Sequence, residues 1–352
     1  MKDWYNRKKV FITGHTGFKG SWLSKMLISF GAEVSGYSLG PMPESLFSIC
    51  KLDKYMDSVI GDIRDYNKLE KTINDKKPEI IIHLAAQPLV RDSYQNPKYT
   101  YETNVMGTVN ICECTRKNDF IKSFLNVTTD KVYFNHEWNW GYRENDYLDG
   151  YDPYSNSKSC SELVTGSYKR AFFNGLGIAV STARAGNVIG GGDFANDRIL
   201  PDCYRAIKNN NKILIRNASS IRPYQHVLEA LFAYLMISRF QYEDMKYADS
   251  YNVGPGDEDC ITTGKLVELF CSFWGDTKGW ECVNNSGPHE ANFLKLDSSK
   301  MKAVFGWDSG WRIDKAVQST VEWYKAYLGS DDVNAIMEKQ INEYSKIMSR
   351  VN

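Results

Sequence analysis

The stretch Lys9-Val10-Phe11-Ile12-Thr13-Gly14-His15-Thr16-Gly17-Phe18-Lys19-Gly20 decides the fold. Its first five residues form a short apolar run bounded by glycine, the pattern of a buried strand. Beyond Gly20, Trp22, Leu23, Met26, Leu27 and Phe30 recur at helical spacing. Strand, glycine loop and helix in that order give a glycine motif its physical meaning. Gly14, Gly17 and Gly20 let the backbone turn sharply and approach a pyrophosphate, which then sits at the positive end of the helix. The stretch predicts a dinucleotide site on Gly14, Thr16, Gly17, Phe18, Lys19 and Gly20.

The alternation continues outward. Ala32 to Ser38 reads as the second strand. Such a strand commonly ends in an acidic residue for the ribose of NAD. Here the tip is Tyr37-Ser38-Leu39, with neither that acid nor a base for a 2′-phosphate. A third short strand precedes Gly61-Asp62-Ile63. Asp62 is open to two readings: a contact with the adenine end of the cofactor, or a turn or N-cap aspartate. Ile80 to Gln87 is the next buried strand, and its small residues leave room for a ligand at the sheet edge. Tyr101 to Thr115 is helical and Ser123 to Thr128 is a strand. A helix from Tyr154 to Phe173 and a strand from Ile178 to Ala183 follow. About six strand–helix alternations predict an α/β fold, a Rossmann-type doubly wound parallel sheet.

The second half is read as a smaller α/β lobe. Cys203 to Asn209 is expected to be helical and Lys212 to Arg216 a strand. Arg222 to Arg239 is expected to return as a helix of the first lobe. Thr262 to Trp274 and Asp297 to Phe305 are read as helices of the smaller lobe. The expected division is residues 1–183 with a return segment at about 222–253, a discontinuous lobe over 184–330, and a tail over 331–352. The tail is an amphipathic helix without a chemical reading.

Composition narrows the function. The chain has 352 residues, 42% hydrophobic and 24% charged, enough for one large domain or two smaller ones around a cleft. Its 43 basic and 43 acidic residues cancel, which argues against nucleic acid as the main partner. The polar start, Met1 to Lys9, is no signal peptide, and no run approaches a membrane span. Eight cysteines without a Cys-x-x-Cys pair point to reduced thiols in the cytoplasm rather than to zinc or disulfides.

Chemistry concentrates at two further places. Thr129-Asp130-Lys131 stands at a strand's carboxyl end, where open parallel sheets place their ligands. Tyr154 and Lys158, four residues apart, share one helix face. The lysine is expected to favour the phenolate and lower the tyrosine pKa, making it a base for a sugar hydroxyl. Taken alone, that spacing is common on helices.

Together these pieces resemble the extended short-chain dehydrogenase/reductase family. The matching stretches are Thr13 to Gly20, His83-Leu84-Ala85-Ala86, Asn104-Val105-Met106-Gly107-Thr108 and Tyr154-x-x-x-Lys158. Thr129-Asp130 resembles the nucleotide-sugar 4,6-dehydratases within it. Gly14 to Leu23, Arg184 to Arg198, Arg222 to Val227, and His289-Glu290-Ala291 with Leu296-Asp297 are similar to their CDP-glucose branch. The resemblance covers roughly residues 8 to 325.

The resemblance implies NAD as a retained cofactor and CDP-glucose as substrate, in deoxysugar synthesis for a surface polysaccharide. It implies cofactor contacts from the glycine loop, Ser38, Asp62, Ile63, Leu84, Ala85, Ala86, Asn104, Tyr154 and Lys158. The catalytic set it implies is Thr129, Asp130, Lys131, Tyr154 and Lys158. Tyr154 would take the O4 proton and Asp130 would protonate the departing C6 hydroxyl. Lys131 stands where many relatives have glutamate, and its role as base or cation is left open. Substrate contacts are expected from Gln87, Arg91, Asn187, Arg198, Arg222, His226 and His289. A lone histidine such as His136 is expected to be structural. The helices at 101–115 and 155–173 resemble the family's four-helix dimer interface, so a homodimer or homotetramer is expected. A nucleotide-sugar 4-epimerase and a non-catalytic dinucleotide-binding scaffold are the competing readings.

Overall fold

Seven parallel strands form the central sheet of the computed structural model, which describes residues 1–275, 277–283 and 293–349. They are β1 (Lys9–Thr13), β2 (Glu33–Ser38), β3 (Asp57–Ile60), β4 (Ile80–His83), β5 (Ser123–Val127), β6 (Ala179–Ala185) and β7 (Ser250–Val253). Their spatial order is β7-β6-β5-β4-β1-β2-β3, with every neighbouring pair parallel. The chain therefore runs outward in one direction through β2 and β3, then in the other through β4 to β7. The reversal leaves a crevice between the carboxyl ends of β1 and β4, where ligands of such sheets bind. β4 and β5 are buried along their whole length, as strands covered on both faces must be.

Six helices carry the argument: α1 (Phe18–Ser29), α2 (Gly107–Arg116), α3 (Pro153–Tyr168), α4 (Val227–Glu243), α5 (Ile313–Leu328) and α6 (Val333–Met348). α4 is apolar nearly all round and buried, and it crosses β5 and β6. α2 continues a helical run from Pro97 through a π turn at Glu102–Met106. No helix among the described residues is long and apolar enough to cross a membrane.

Two differences from the expected elements have physical causes. The strand expected over 80–87 ends at His83, because Leu84 and Ala85 turn to donate their N–H groups to Thr13 Oγ1, each at 3.1 Å. The helix expected from Arg222 begins only at Val227. Pro223 limits the backbone there, and Ile221–Pro223 and Gln225–His226 instead pair with short strands at 260–262 and 188–189. His226 then caps α4, its Nδ1 accepting from Leu228 N at 3.3 Å. The tail helix α6 is no appendage. It buries Met337, Ile341 and Tyr344 in the main core and bonds Glu338 to Lys25 of α1.

Candidate active site

The glycine loop joins β1 to α1 at the crevice. Gly14 adopts φ +77°, and a β-carbon on it would lie 2.8 Å from Ala85 N. One on Gly20 would lie 2.2 Å from Gly14 O. Only glycine permits this approach of loop, β4 end and helix start, and the hollow so made suits a dinucleotide at the first turn of α1. The residues present therefore fit the cofactor. At the β2 tip, Thr16 Oγ1 and Ser38 Oγ share a 2.8 Å hydrogen bond, so hydroxyls stand where an acid is usual.

Asp62 adopts the turn arrangement. Its carboxylate accepts from Arg64 N at 2.9 Å and from Arg64 Nη2 at 2.7 Å, and that side-chain bond holds it below the usual carboxylate range. Ile63 is buried beneath Gly107. Asn104 is spent on protein partners: it bonds Gln87 N at 2.8 Å, Gln87 O at 3.1 Å and Ser157 Oγ at 2.9 Å.

A cleft of about 1780 Å³ opens beside the crevice. It exceeds the roughly 300–1,000 Å³ of common small-ligand sites and has room for an extended ligand. Lys19, Thr129, Asp130, Lys131 and Tyr154 line one end, and Asn187, Arg198, Arg222 and Arg216 line the remainder. Thr129 starts a short 3-10 turn directly after β5. Asp130 is fully buried. Its Oδ1 accepts from Thr129 Oγ1 at 2.9 Å and from Lys131 Nζ at 3.3 Å, while Oδ2 has no hydrogen-bond partner among the described residues. A buried acceptor of that kind is costly unless something occupies it.

Asp152 caps α3 by accepting from Ser155 N at 3.0 Å, and Pro153 fills the first turn. This sets Tyr154 at the helix start. Lys158 lies one turn on, its Nζ donating to Val127 O at 3.0 Å. The phenol of Tyr154 is pushed up to about 12, first by desolvation. A hydrogen bond with Thr129 opposes this, Asp130 adds to it and Arg198 opposes it. The expected lowering by Lys158 is thus absent: desolvation dominates, and the cation that pulls the phenol down is Arg198. Burial pushes Lys158 itself down to about 8. Lys19 falls to about 7, through burial first and then the Arg198 and Lys158 cations.

Not every expected residue meets here. Arg91 and Arg198 line the cleft but are paired with Asp197 and Asp193 at 3.3 and 3.0 Å. Arg222 lines it as well and donates to Ile221 O at 3.0 Å. Gln87 turns away, donating to Leu89 O and Thr100 Oγ1 at 3.0 Å each. His226 is buried between Trp22 and Trp311, with ring centroids 5.9 and 4.8 Å away. His83 is buried and bonded to Thr13 Oγ1 at 2.7 Å. His289 lies outside the described residues. Conversely, His136 does line the cleft, between the rings of Phe134 and Trp138. Its aromatic spacing, Phe134-Asn135-His136-Glu137-Trp138, was the available signal. The buried Glu162–Arg184 pair beneath the site was also missed, although Glu162 stands one turn beyond Lys158.

A family model described as GDP-mannose 4,6 dehydratase matches residues 11–320. The CDP-glucose 4,6-dehydratase of Salmonella typhimurium is 47% identical over 356 residues, 99% of this chain and 99% of that protein. A probable dTDP-glucose 4,6-dehydratase of Sinorhizobium fredii is 26% identical, over 90% of this chain and 92% of its own. Among solved structures, the dTDP-glucose 4,6-dehydratase of Bacillus anthracis in complex with NAD superposes with a TM-score of 0.77 at 23% identity, covering 90% of this chain and 96% of that one. That last likeness concerns the fold.

Proposed function

The chain belongs to the GDP-mannose 4,6 dehydratase family, and on that premise we propose that it converts CDP-D-glucose to CDP-4-dehydro-6-deoxy-D-glucose and water, acting as a hydro-lyase with NAD. The 47% identity to a CDP-glucose 4,6-dehydratase over nearly all of both chains supports the choice of nucleotide.

The observation that carries the reaction is Asp130, a buried carboxyl with one bare oxygen, beside Thr129 and in the same cleft as Tyr154. Loss of the C6 hydroxyl needs an acid at that place. A 4-epimerase needs none, and a scaffold needs neither acid nor tyrosine. NAD, held by the glycine loop at the start of α1, would supply reversible hydride transfer, so that the sugar undergoes no net oxidation. Tyr154 takes the O4 proton, with Thr129 hydrogen-bonded to its phenol. Lys158 stays a cation behind it. Once C4 is a ketone the C5 proton is acidic and passes to solvent in the cleft while Lys131 stabilises the developing enolate and Asp130 delivers a proton to the leaving hydroxyl; C5 takes a proton back from solvent as C6 is reduced. Asn187, Arg198 and Arg222 hold the nucleotide diphosphate end of the cleft.

The enzyme is placed in the cytoplasm, a reading supported by its eight free cysteines. It acts as a homodimer or homotetramer, a reading supported by the exposed Met106, Leu163, Phe172 and Leu176 on the two neighbouring helical runs.

The test is incubation with CDP-, dTDP-, GDP- and UDP-glucose plus NAD. The expected product is a base-labile 4-keto sugar lighter by one water, formed fastest from CDP-glucose. No such product from any of the four would sink the proposal.

A further inference from the structure

Glu162 stands one helical turn beyond Lys158 on α3, on the same face. Its side chain is only 2% exposed, it does not line the cleft, and both its oxygens are saturated. Oε1 accepts from Thr128 Oγ1 at 2.5 Å and Arg184 Nε at 3.0 Å. Oε2 accepts from Thr182 Oγ1 at 2.7 Å and Arg184 Nη2 at 3.0 Å. Arg184 continues outward through Nη1 to Tyr133 OH at 2.7 Å and Glu144 O at 2.9 Å.

The connections have a pattern. Thr128 immediately precedes Thr129 and Asp130, and Val127, the residue before it, receives Lys158 Nζ. One carboxylate thus joins the end of β5, the middle of β6 and the helix that carries Tyr154 and Lys158. A buried ion pair is poor glue for a fold, because an apolar pair of similar volume is often as stable or more so. The charge calls for another role.

Around Lys158, the groups among the described residues that can carry charge are Glu162 and Tyr154 on its own helix, His83 from β4, Lys19 from the glycine loop and, behind Glu162, Arg184 from β6. His83 is kept neutral by burial and Lys19 is a like charge, so Glu162 is the anion that favours the ammonium.

We propose that Glu162 is a positioning residue for the dehydration: it locks the Thr129–Asp130 turn to the helix of Tyr154 and Lys158, and its charge keeps Lys158 cationic. The inference rests on the catalytic reading of that site, so its test reads the lysine directly.

Glu162→Gln keeps the volume and removes the charge. In protein carrying ¹³C-labelled lysine, the Lys158 signal is assigned by its loss in Lys158→Arg and titrated by NMR. Its pKa is expected to fall by about one unit in the Glu162→Gln protein. The alkaline limb of kcat/KM, where Lys158 loses its proton, moves to lower pH with it. Because Glu162→Gln leaves Arg184 buried without its anion, Glu162→Gln/Arg184→Gln is titrated as well, and a smaller downward shift is expected because a more distant cation is removed together with the anion. An unchanged Lys158 pKa in either folded variant overturns the proposal. Failure of both variants to fold also overturns it, since the pair would then be a requirement of folding alone. A shifted lysine in a protein that dehydrates no nucleotide sugar would sustain the tuning by Glu162 and remove the dehydratase reading instead.

Discussion

Asp130 Oδ2 lies against Gly186 so closely that a β-carbon on the glycine would sit 3.1 Å from that oxygen and 2.9 Å from Pro223 Cγ. Among the described residues that buried oxygen has no hydrogen-bond partner, and the glycine keeps the space beside it free of a side chain. Asp130→Asn keeps the shape but loses the acid, and turnover should fall about 10²- to 10⁴-fold. Oxidation at C4 does not need that acid, so reduced-nicotinamide absorbance should still build up on adding the sugar nucleotide. Gly186→Ala should act in the same direction by displacing the carboxyl. If Asp130→Asn turned over normally, the acid would lie elsewhere.

Lys131 Nζ contacts Asp130 Oδ1 at 3.3 Å, a geometry that suits charge stabilisation beside the reacting sugar. Lys131→Arg should therefore retain most of the C5–H exchange with solvent deuterium, whereas Lys131→Ala should lose about tenfold or more. Exchange lost equally in both variants would identify the lysine as the base.

Glu229 is buried on α4, accepting from Ser309 Oγ and, at 2.7 Å, from Trp311 N. Burial raises its pKa from 4.5 to about 8. Between those values the folded state binds a proton that the unfolded state has released, so this contribution to stability is lost as pH rises through the window. Glu229→Gln should abolish it. The variant should lose less stability than the unsubstituted protein between pH 5 and pH 8, by on the order of several kcal/mol, which is read as a smaller fall in Tm. Parallel Tm curves would show that the carboxyl is ionised throughout.

His226 has the opposite sense. Burial lowers it from 6.5 to about 3, so the unfolded state takes up a proton first and stability is lost as pH falls below 6.5. Asparagine is a good N-cap and does not titrate. His226→Asn should therefore lose less stability than the unsubstituted protein when urea unfolding is compared at pH 7 and pH 5, whatever its loss at pH 7.

Leu163 is 58% exposed on α3, beside the exposed Met106 of the neighbouring helical run. If these faces meet in a dimer, Leu163→Glu should yield monomers by light scattering at micromolar concentration. An unchanged mass would move the interface to another face.

The sheet and its crevice were legible in the sequence because apolar runs and glycines act locally: β1, the glycine loop and α1 follow from spacing alone. Thr129-Asp130-Lys131 and Tyr154 could be placed because strand ends and helix starts fix where side chains emerge. What escaped was long-range. Asn104 and Gln87 have the residue types of ligand contacts, but Asn104 is taken up by Gln87 and Ser157, and Gln87 by Leu89 and Thr100. His226 looked like a substrate residue because nothing in its neighbourhood in sequence reveals Trp22 and Trp311. The Tyr154 phenol was misjudged for the same reason, since desolvation is set by everything packed around it, while the lysine four residues away is only one neighbour.

The sheet order carries a kinetic consequence. β6 is buried along all seven residues, and its outer neighbour β7 arrives only after residues 186–249 have been threaded elsewhere. Until then β6 is an open edge of unpaired backbone groups, of the kind that recruits other chains. Closing it requires a distant contact that forms slowly. Aggregation during synthesis or refolding should therefore begin at Ala179–Ala185, and conditions that speed docking of Ser250–Val253 should raise the yield of native protein.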